Sequence, residues 1–194
     1  CEHIYVFSTI ALKNILNNFG LEIFDVQNTT THGGSNRYFI KKKINKSIHI
    51  KKSVKNELKK EIKFGLNKIS TYRIFARKVK KSKIKLLNIF KKIKKKKLSV
   101  VGYGATAKSC TVLNYCKIGN KFIDYFYDTT SYKINRYLPG SKILIKKYKK
   151  LNKKNIDIAF LGAWNFKDEI FKKEKNFIKK GGKFIIHVPT PKII

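Results

Sequence analysis

Methionine does not occur in the 194 residues, and the chain starts at Cys1. A complete translation product starts with Met unless it is removed, so the sequence is expected to be a segment of a longer protein. Cysteine is scarce: Cys1, Cys110 and Cys116 form an odd set with no CxxC spacing. That excludes a disulfide framework and a cysteine zinc site in this stretch, and it fits a reducing, cytoplasmic setting. No apolar run nears the roughly 20 residues that cross a bilayer. No basic-then-apolar leader is visible at the start, so no membrane association is expected. Acidic residues are also few, 11 against 46 basic ones, for a formal net charge of +35. Only Arg37, Arg73, Arg77 and Arg136 among the basic residues are arginine. A reader of bases or phosphates is expected to use more arginine, whose planar fork matches those groups. The lysines are spread along the chain beside abundant Ile and Asn, the residues an AT-rich coding sequence produces. The charge is therefore read as solvated surface, and no specific nucleic-acid partner is expected.

What is present is a globular composition, 42% hydrophobic and 13% aromatic, enough for one or two domains. The most informative stretch is Val100–Lys108, VVGYGATAK. An apolar strand at Leu98–Val101 runs into the turn Gly102-Tyr103-Gly104, and a helix is predicted from Ala105 to about Tyr115. Gly102, Gly104 and Ala107 give the G-x-G-x-x-A form of the dinucleotide fingerprint. Glycines let the backbone turn sharply and approach a ligand, and the following helix N-terminus presents free N–H groups to an anion. Asp128 lies 24 residues beyond Gly104. Two readings of it stay open: an acid for a ribose diol, as in an NAD-dependent oxidoreductase, or the start of a turn.

Ahead of this, Ser8 can cap a helix from Thr9 to about Phe19, which Gly20 stops. Leu21–Gln27 and Asn36–Lys43 read as paired strands around a Thr29–Ser35 loop. Ser53 to about Lys97 reads as helical from apolar residues spaced three and four apart, with Lys80–Lys83 as a possible break. Beyond the glycine turn, strands are predicted at Lys121–Tyr127, Ile143–Ile145, Ile156–Leu161 and Lys183–Val188. A helix from Phe166 to about Lys179 is expected to be capped by Asn165. Alternating strands and helices predict an α/β fold, a mostly parallel sheet flanked by helices.

Several groups could carry chemistry. Glu2 and His3 place a carboxylate beside an imidazole, the natural base near neutral pH. Thr31-His32-Gly33-Gly34-Ser35 offers loop N–H groups, hydroxyls and an imidazole, suited to sugar or phosphate but equally to a plain turn. Trp164 and Asn165 follow a strand end, where open α/β sheets bind ligands, although packing and capping explain them too. His49 and His187 read as surface and strand positions with no site role.

Taken together, these pieces resemble the sugar C-methyltransferases that act on nucleotide-linked deoxysugars with S-adenosylmethionine. The matching segments are EHIYVFS (Glu2–Ser8), LEIFDV (Leu21–Val26), THGGSNR (Thr31–Arg37) and GYGATAK (Gly102–Lys108). They continue as LNYCKIG (Leu113–Gly119), YLPG (Tyr137–Gly140), WNFKDEI (Trp164–Ile170) and GGKFI (Gly181–Ile185). They follow family order and cover nearly the whole chain. The resemblance implies that residues 1–50 end a class I methyltransferase domain, 51–97 form a helical connector and 98–194 form a Rossmann-like C-terminal domain. It implies that Glu2 and His3 are catalytic, with His3 as the base that forms an enolate next to a keto group. Cys1 stands where the family commonly has His. Substrate contacts are implied at Thr31, His32, Gly33, Gly34, Ser35 and Arg37, then at Gly102, Tyr103, Gly104, Lys108, Asn114 and Asp128. Arg136, Pro139, Gly140, Trp164 and Asn165 complete the implied set. The S-adenosylmethionine site is implied to lie mostly upstream, with zinc in an N-terminal domain outside this stretch and no metal held here.

Overall fold

The computed structural model describes residues 5–31 and 34–194. The chain divides into two compact units, residues 1–77 and 78–194. Helix α3 (Ile69–Lys95) runs through the division.

In the first unit, α1 (Thr9–Asn17) starts at Ser8, whose hydroxyl accepts from the Ala11 N–H at 3.1 Å. Its first amides, Thr9 and Ile10, donate to the Glu61 carboxylate at 2.6 and 2.9 Å. A buried acid from α2 (Lys52–Phe64) thus serves the positive end of α1, where free N–H groups favour an anion. Strands β1 (Leu21–Thr29) and β2 (Ser35–Lys42) pair antiparallel, with an irregularity between Ile23 and Asp25. Asp25 fastens the start of α2, accepting from Lys51 and from Ser53, each at 2.6 Å. Ile23, Val26 and Val54 form a small core, lined by Leu12, Leu16, Tyr38 and Leu58.

The long helical stretch expected from Ser53 to Lys97 breaks at Gly65, not at Lys80–Lys83. Gly65 takes a left-handed φ of 87° and closes α2, which only glycine does cheaply. Lys80–Lys83 lies inside α3, because lysine is a good helix former whatever its charge.

The second unit is a six-stranded sheet in the order β5–β4–β3–β6–β7–β8. Its strands are β3 (Val100–Tyr103), β4 (Phe126–Asp128), β5 (Ile145–Lys147), β6 (Ile158–Leu161), β7 (Lys183–Ile186) and β8 (Lys192–Ile193). All pair parallel except β7 with β8. The chain leaves β3 toward one edge and returns to β3's other side with β6. That reversal puts the crevice of an open α/β sheet at the C-terminal ends of β3 and β6. One face packs under Leu86, Phe90 and Ile93 of α3 and Leu113 and Cys116 of α4 (Ala107–Cys116), against Val100, Phe126, Phe160 and Ile185. The other packs Ile170 of α5 (Lys167–Lys173) and Phe177 of α6 (Lys175–Lys179) on Val101, Tyr103, Ala159, Leu161 and Phe184. Each such buried side chain contributes about 1.5–3 kcal/mol. The expected α/β class, a mostly parallel sheet flanked by helices, is therefore what the chain forms.

Four local expectations change. The helix expected from Phe166 to Lys179 is cut at Glu174, which is fully buried. Its carboxylate accepts from Tyr148 Oη at 2.5 Å, Tyr103 Oη at 3.2 Å and the Leu151 N–H at 3.1 Å. Asn165 caps nothing: it is exposed within a 3₁₀ turn, Trp164–Phe166, and α5 begins after Phe166 with no side-chain cap. The strand expected from Lys121 begins only at Phe126. The strand expected from Lys183 to Val188 ends at Ile186; His187, the next residue, is 6% exposed and stacks on Phe160, ring centroids 5.3 Å apart.

Candidate functional site

The site is built at the β3–α4 turn. Gly102 cannot carry a side chain, since a Cβ there would enter the Phe126 ring. Gly104 has φ 83°, and its Cβ would stand 2.6 Å from that of Ala163. Gly162 is held against the Gly104 carbonyl in the same way. Both fingerprint glycines are thus required by the protein's own packing. The N–H groups of Gly162 and Ala163 donate to the Tyr103 carbonyl, and Thr106 Oγ1 donates to the Gly162 carbonyl at 3.2 Å. The ends of β3 and β6 are laced together across the reversal.

The helix start is capped from within. Thr106 Oγ1 accepts from the Ser109 N–H at 3.1 Å, and Ser109 Oγ accepts from the Thr106 N–H at 3.0 Å. This capping box is formed by Ser in place of the usual Glu or Gln. Ala107 and Lys108 keep the first-turn amides that the box does not use. The Lys108 ammonium lies 5.4 Å from the centroid of the half-buried Trp164 ring. A cation beside an aromatic face at a helix start suits a phosphate next to a flat ring or sugar.

Asp128 ends β4 with its carboxylate engaged inside the fold. It accepts from the N–H groups of Ala105 and Thr130, each at 2.8 Å, and its side chain is 8% exposed. Burial alone would push its carboxyl up. The Thr130 and Ala105 N–H groups and the Lys133 ammonium outweigh that and hold it below the ordinary carboxylate value. A ribose diol has no exposed acceptor there, which is evidence against the dinucleotide reading.

The other expected site residues are distributed more widely. Tyr103 points into the core, its hydroxyl on Glu174 and its pKa pushed up by burial, so its side chain is withdrawn from the crevice. Asn114 sits six residues beyond Lys108, about 9 Å further along the helix axis. Its side-chain amide donates to the Pro139 carbonyl at 3.0 Å, and Gly140, at φ 76°, packs against it. Asn114, Pro139 and Gly140 therefore form a loop anchor away from Lys108 and Trp164. Arg136 and Asn165 are exposed. In the first unit, Thr31, Gly34 and Ser35 close the β1–β2 turn: the Gly34 N–H and Ser35 Oγ both donate to the Thr31 carbonyl. Arg37 is exposed opposite Gln27. Glu2, His3, His32 and Gly33 lie outside the described residues.

Thr106, Ser109, Ala163, Lys133 and Glu174 were missed by sequence reasoning. Only the Thr106-x-x-Ser109 spacing carried a signal. Burial pushes the Cys110 and Cys116 thiols up, so neither offers a thiolate at neutral pH. Among the described residues, no three His, Cys, Asp or Glu side chains gather as metal ligands, and no helix is long and apolar enough to cross a membrane.

Residues 30–189 match the family described as the C-methyltransferase C-terminal domain. The chain belongs to this family. It is 31% identical over 193 residues to the C-methyltransferase NovU of Streptomyces niveus, across 100% of this chain and 46% of NovU. The chain thus spans about half the length of the curated relative it matches. In this chain the glycine turn is filled by protein groups. At its mouth stand the exposed Lys108 and the half-buried Trp164.

Proposed function

We propose that the chain is the C-terminal part of an S-adenosylmethionine-dependent C-methyltransferase acting on a nucleotide-linked deoxysugar, at a carbon next to a keto group. The observation that carries the proposal is family membership over residues 30–189, joined to a crevice whose open groups suit an anion and a flat ring. In this reading residues 98–194 form the nucleotide-sugar platform, 51–97 connect, and 1–50 end the methyl-donor domain. Lys108 meets phosphate and Trp164 lines the sugar or base.

The donor, when bound, supplies an electrophilic methyl group on a sulfonium. The turn at Gly102–Ala107 does not fit it. The faces of both glycines are occupied and Asp128 is engaged, so no donor step is routed through these residues. Among the described residues no ligand set for zinc gathers, and zinc is proposed only for an N-terminal domain outside this stretch. His3, neutral beforehand, takes the proton from the carbon beside the keto group, and the Glu2 carboxylate stabilises the imidazolium that results. The C–H electron pair becomes the enolate. A donor held outside the described residues would supply the methyl group to the enolate carbon, its methyl–sulfur electron pair leaving with sulfur.

His3→Ala in the complete enzyme is expected to lower methyl transfer by about 10²–10⁴-fold, the usual contribution of a general base, with the melting temperature unchanged. Near-wild-type turnover in that variant removes His3 from the role. The platform is localised in the second unit, with no membrane partner in the reaction and the cytoplasm as the compartment.

A further inference from the structure

Both backbone polar groups of Ala105 are held from one stretch, Asp128–Lys133. Its N–H donates to Asp128 Oδ2 at 2.8 Å, and its carbonyl accepts from Lys133 Nζ at 3.0 Å. Lys133 Nζ also stands 3.7 Å from Asp128 Oδ2, and its side chain remains 29% exposed. Ala105 immediately precedes Thr106, the N-cap of α4. A buried carboxylate therefore sits at the end of the helix where an incoming phosphate would be drawn, and it repels that phosphate unless it is neutralised. Lys133 is the cation placed to do this. Its ammonium has three protons, and the Ala105 carbonyl takes one of them.

We infer that Lys133 is a positioning residue for anion binding at the β3–α4 turn: it fixes the Ala105 peptide from one side while Asp128 holds the other, and it cancels the Asp128 charge beside the ligand. This rests on the nucleotide-sugar platform proposed above. It gives Asp128 an internal role in place of a ligand contact. Lys133 itself need not touch the ligand. Neither residue type at this spacing is a recognisable motif, because the pairing depends on the 3₁₀ turn Ser131–Lys133 that brings the lysine back over Ala105.

The role separates from ordinary loop stability by charge. In a structural role, removing a second partner makes matters worse. In an electrostatic role, removing Asp128 after Lys133 relieves the repulsion. Isothermal titration of the intact protein with uridine diphosphate and with thymidine diphosphate tests this, with melting curves to confirm folding. Lys133→Met is expected to weaken diphosphate binding by about tenfold, the order given by one uncompensated charge near a protein surface. Lys133→Arg is expected to retain binding within about threefold, since it keeps the charge. The double variant Lys133→Met with Asp128→Asn is expected to bind more tightly than Lys133→Met alone. Wild-type binding in Lys133→Met overturns the inference, and so does a double variant no better than the single one. If the wild-type protein binds neither diphosphate, the platform reading falls and the inference falls with it. That result is distinct from binding that ignores Lys133.

Discussion

His187 shows how one buried group ties the fold to pH. Burial pulls its imidazole down to about 4, against a smaller opposing pull from the Leu161 backbone, and its Nδ1 finds no hydrogen-bond partner among the described residues. The folded state thus prefers the neutral ring, while the unfolded chain takes up a proton near the ordinary value of 6.5. Stability is full above about pH 6.5 and falls as pH drops toward 4, by on the order of 2–3 kcal/mol. Urea unfolding at pH 7 and pH 5 should show this loss in the wild type and little of it in His187→Phe. Equal losses in both would place the sensitivity elsewhere. The glycines act at the same scale. Gly102→Ala must displace the Phe126 ring, and Gly104→Ala meets Ala163 in a left-handed conformation, so each should cost about 1–3 kcal/mol in denaturant unfolding. Stability unchanged by both would show the turn to be more open than described. The glycine spacing was legible in the sequence, but its cause was not. A ligand and a neighbouring Phe126 or Ala163 demand the same absent Cβ, and only the fold tells them apart.

Among elements, the hydrophobic spacing located α1, the β1–β2 pair, β3, α4, β6 and β7 to within a few residues. It did so because each has a dominant buried face of contiguous chain. What escaped it depended on distant partners. Glu174 divides α5 from α6 because Tyr103, Tyr148 and Leu151 converge on its carboxylate from β3 and the segment after β5. No local pattern marks a charged residue in a lysine-rich helix as buried. Tyr148 is pushed up to about 12 by burial and by Glu174, and Lys173 stands 3.9 Å from its ring centroid. Tyr148→Phe should destabilise the protein by about 1–2 kcal/mol, since it removes a hydrogen bond to a charged acceptor. A change below about 0.3 kcal/mol in thermal or denaturant unfolding would mean that Glu174 keeps its position without that bond. The break at Gly65 belongs here too. Its left-handed turn was available to a reader of the sequence, but the lysine run at Lys80–Lys83 was the more conspicuous interruption.

At the level of the molecule, charge and family point to different partners. A net charge of +35 will bind DNA at low ionic strength. Association carried by dispersed, mostly lysine charge falls steeply with salt, and by about 0.15 M it should be lost in an anisotropy titration. DNA binding that persists there would require a built interface. The candidate site was only partly legible. Trp164 was read from its place after a strand end and Lys108 from the family resemblance, and the Lys108 ammonium stands 5.4 Å from the Trp164 ring centroid. Asp128 was read from its spacing after the glycine turn and Tyr103 from the family resemblance, and both are engaged within the fold. A sequence pattern locates the mouth of an α/β sheet, but not which side chains turn inward.

The reaction proposed above for the complete protein places a methyl group on the carbon beside a keto group of a nucleotide-linked deoxysugar. Its most direct test incubates the complete protein with S-adenosylmethionine and a nucleotide-linked keto-deoxysugar deuterated at that carbon, followed by mass spectrometry of the sugar. The expected product has lost deuterium and gained one methyl group at the same carbon. A methyl group on oxygen, or a sugar altered only by hydride exchange with a nicotinamide cofactor, would contradict the account.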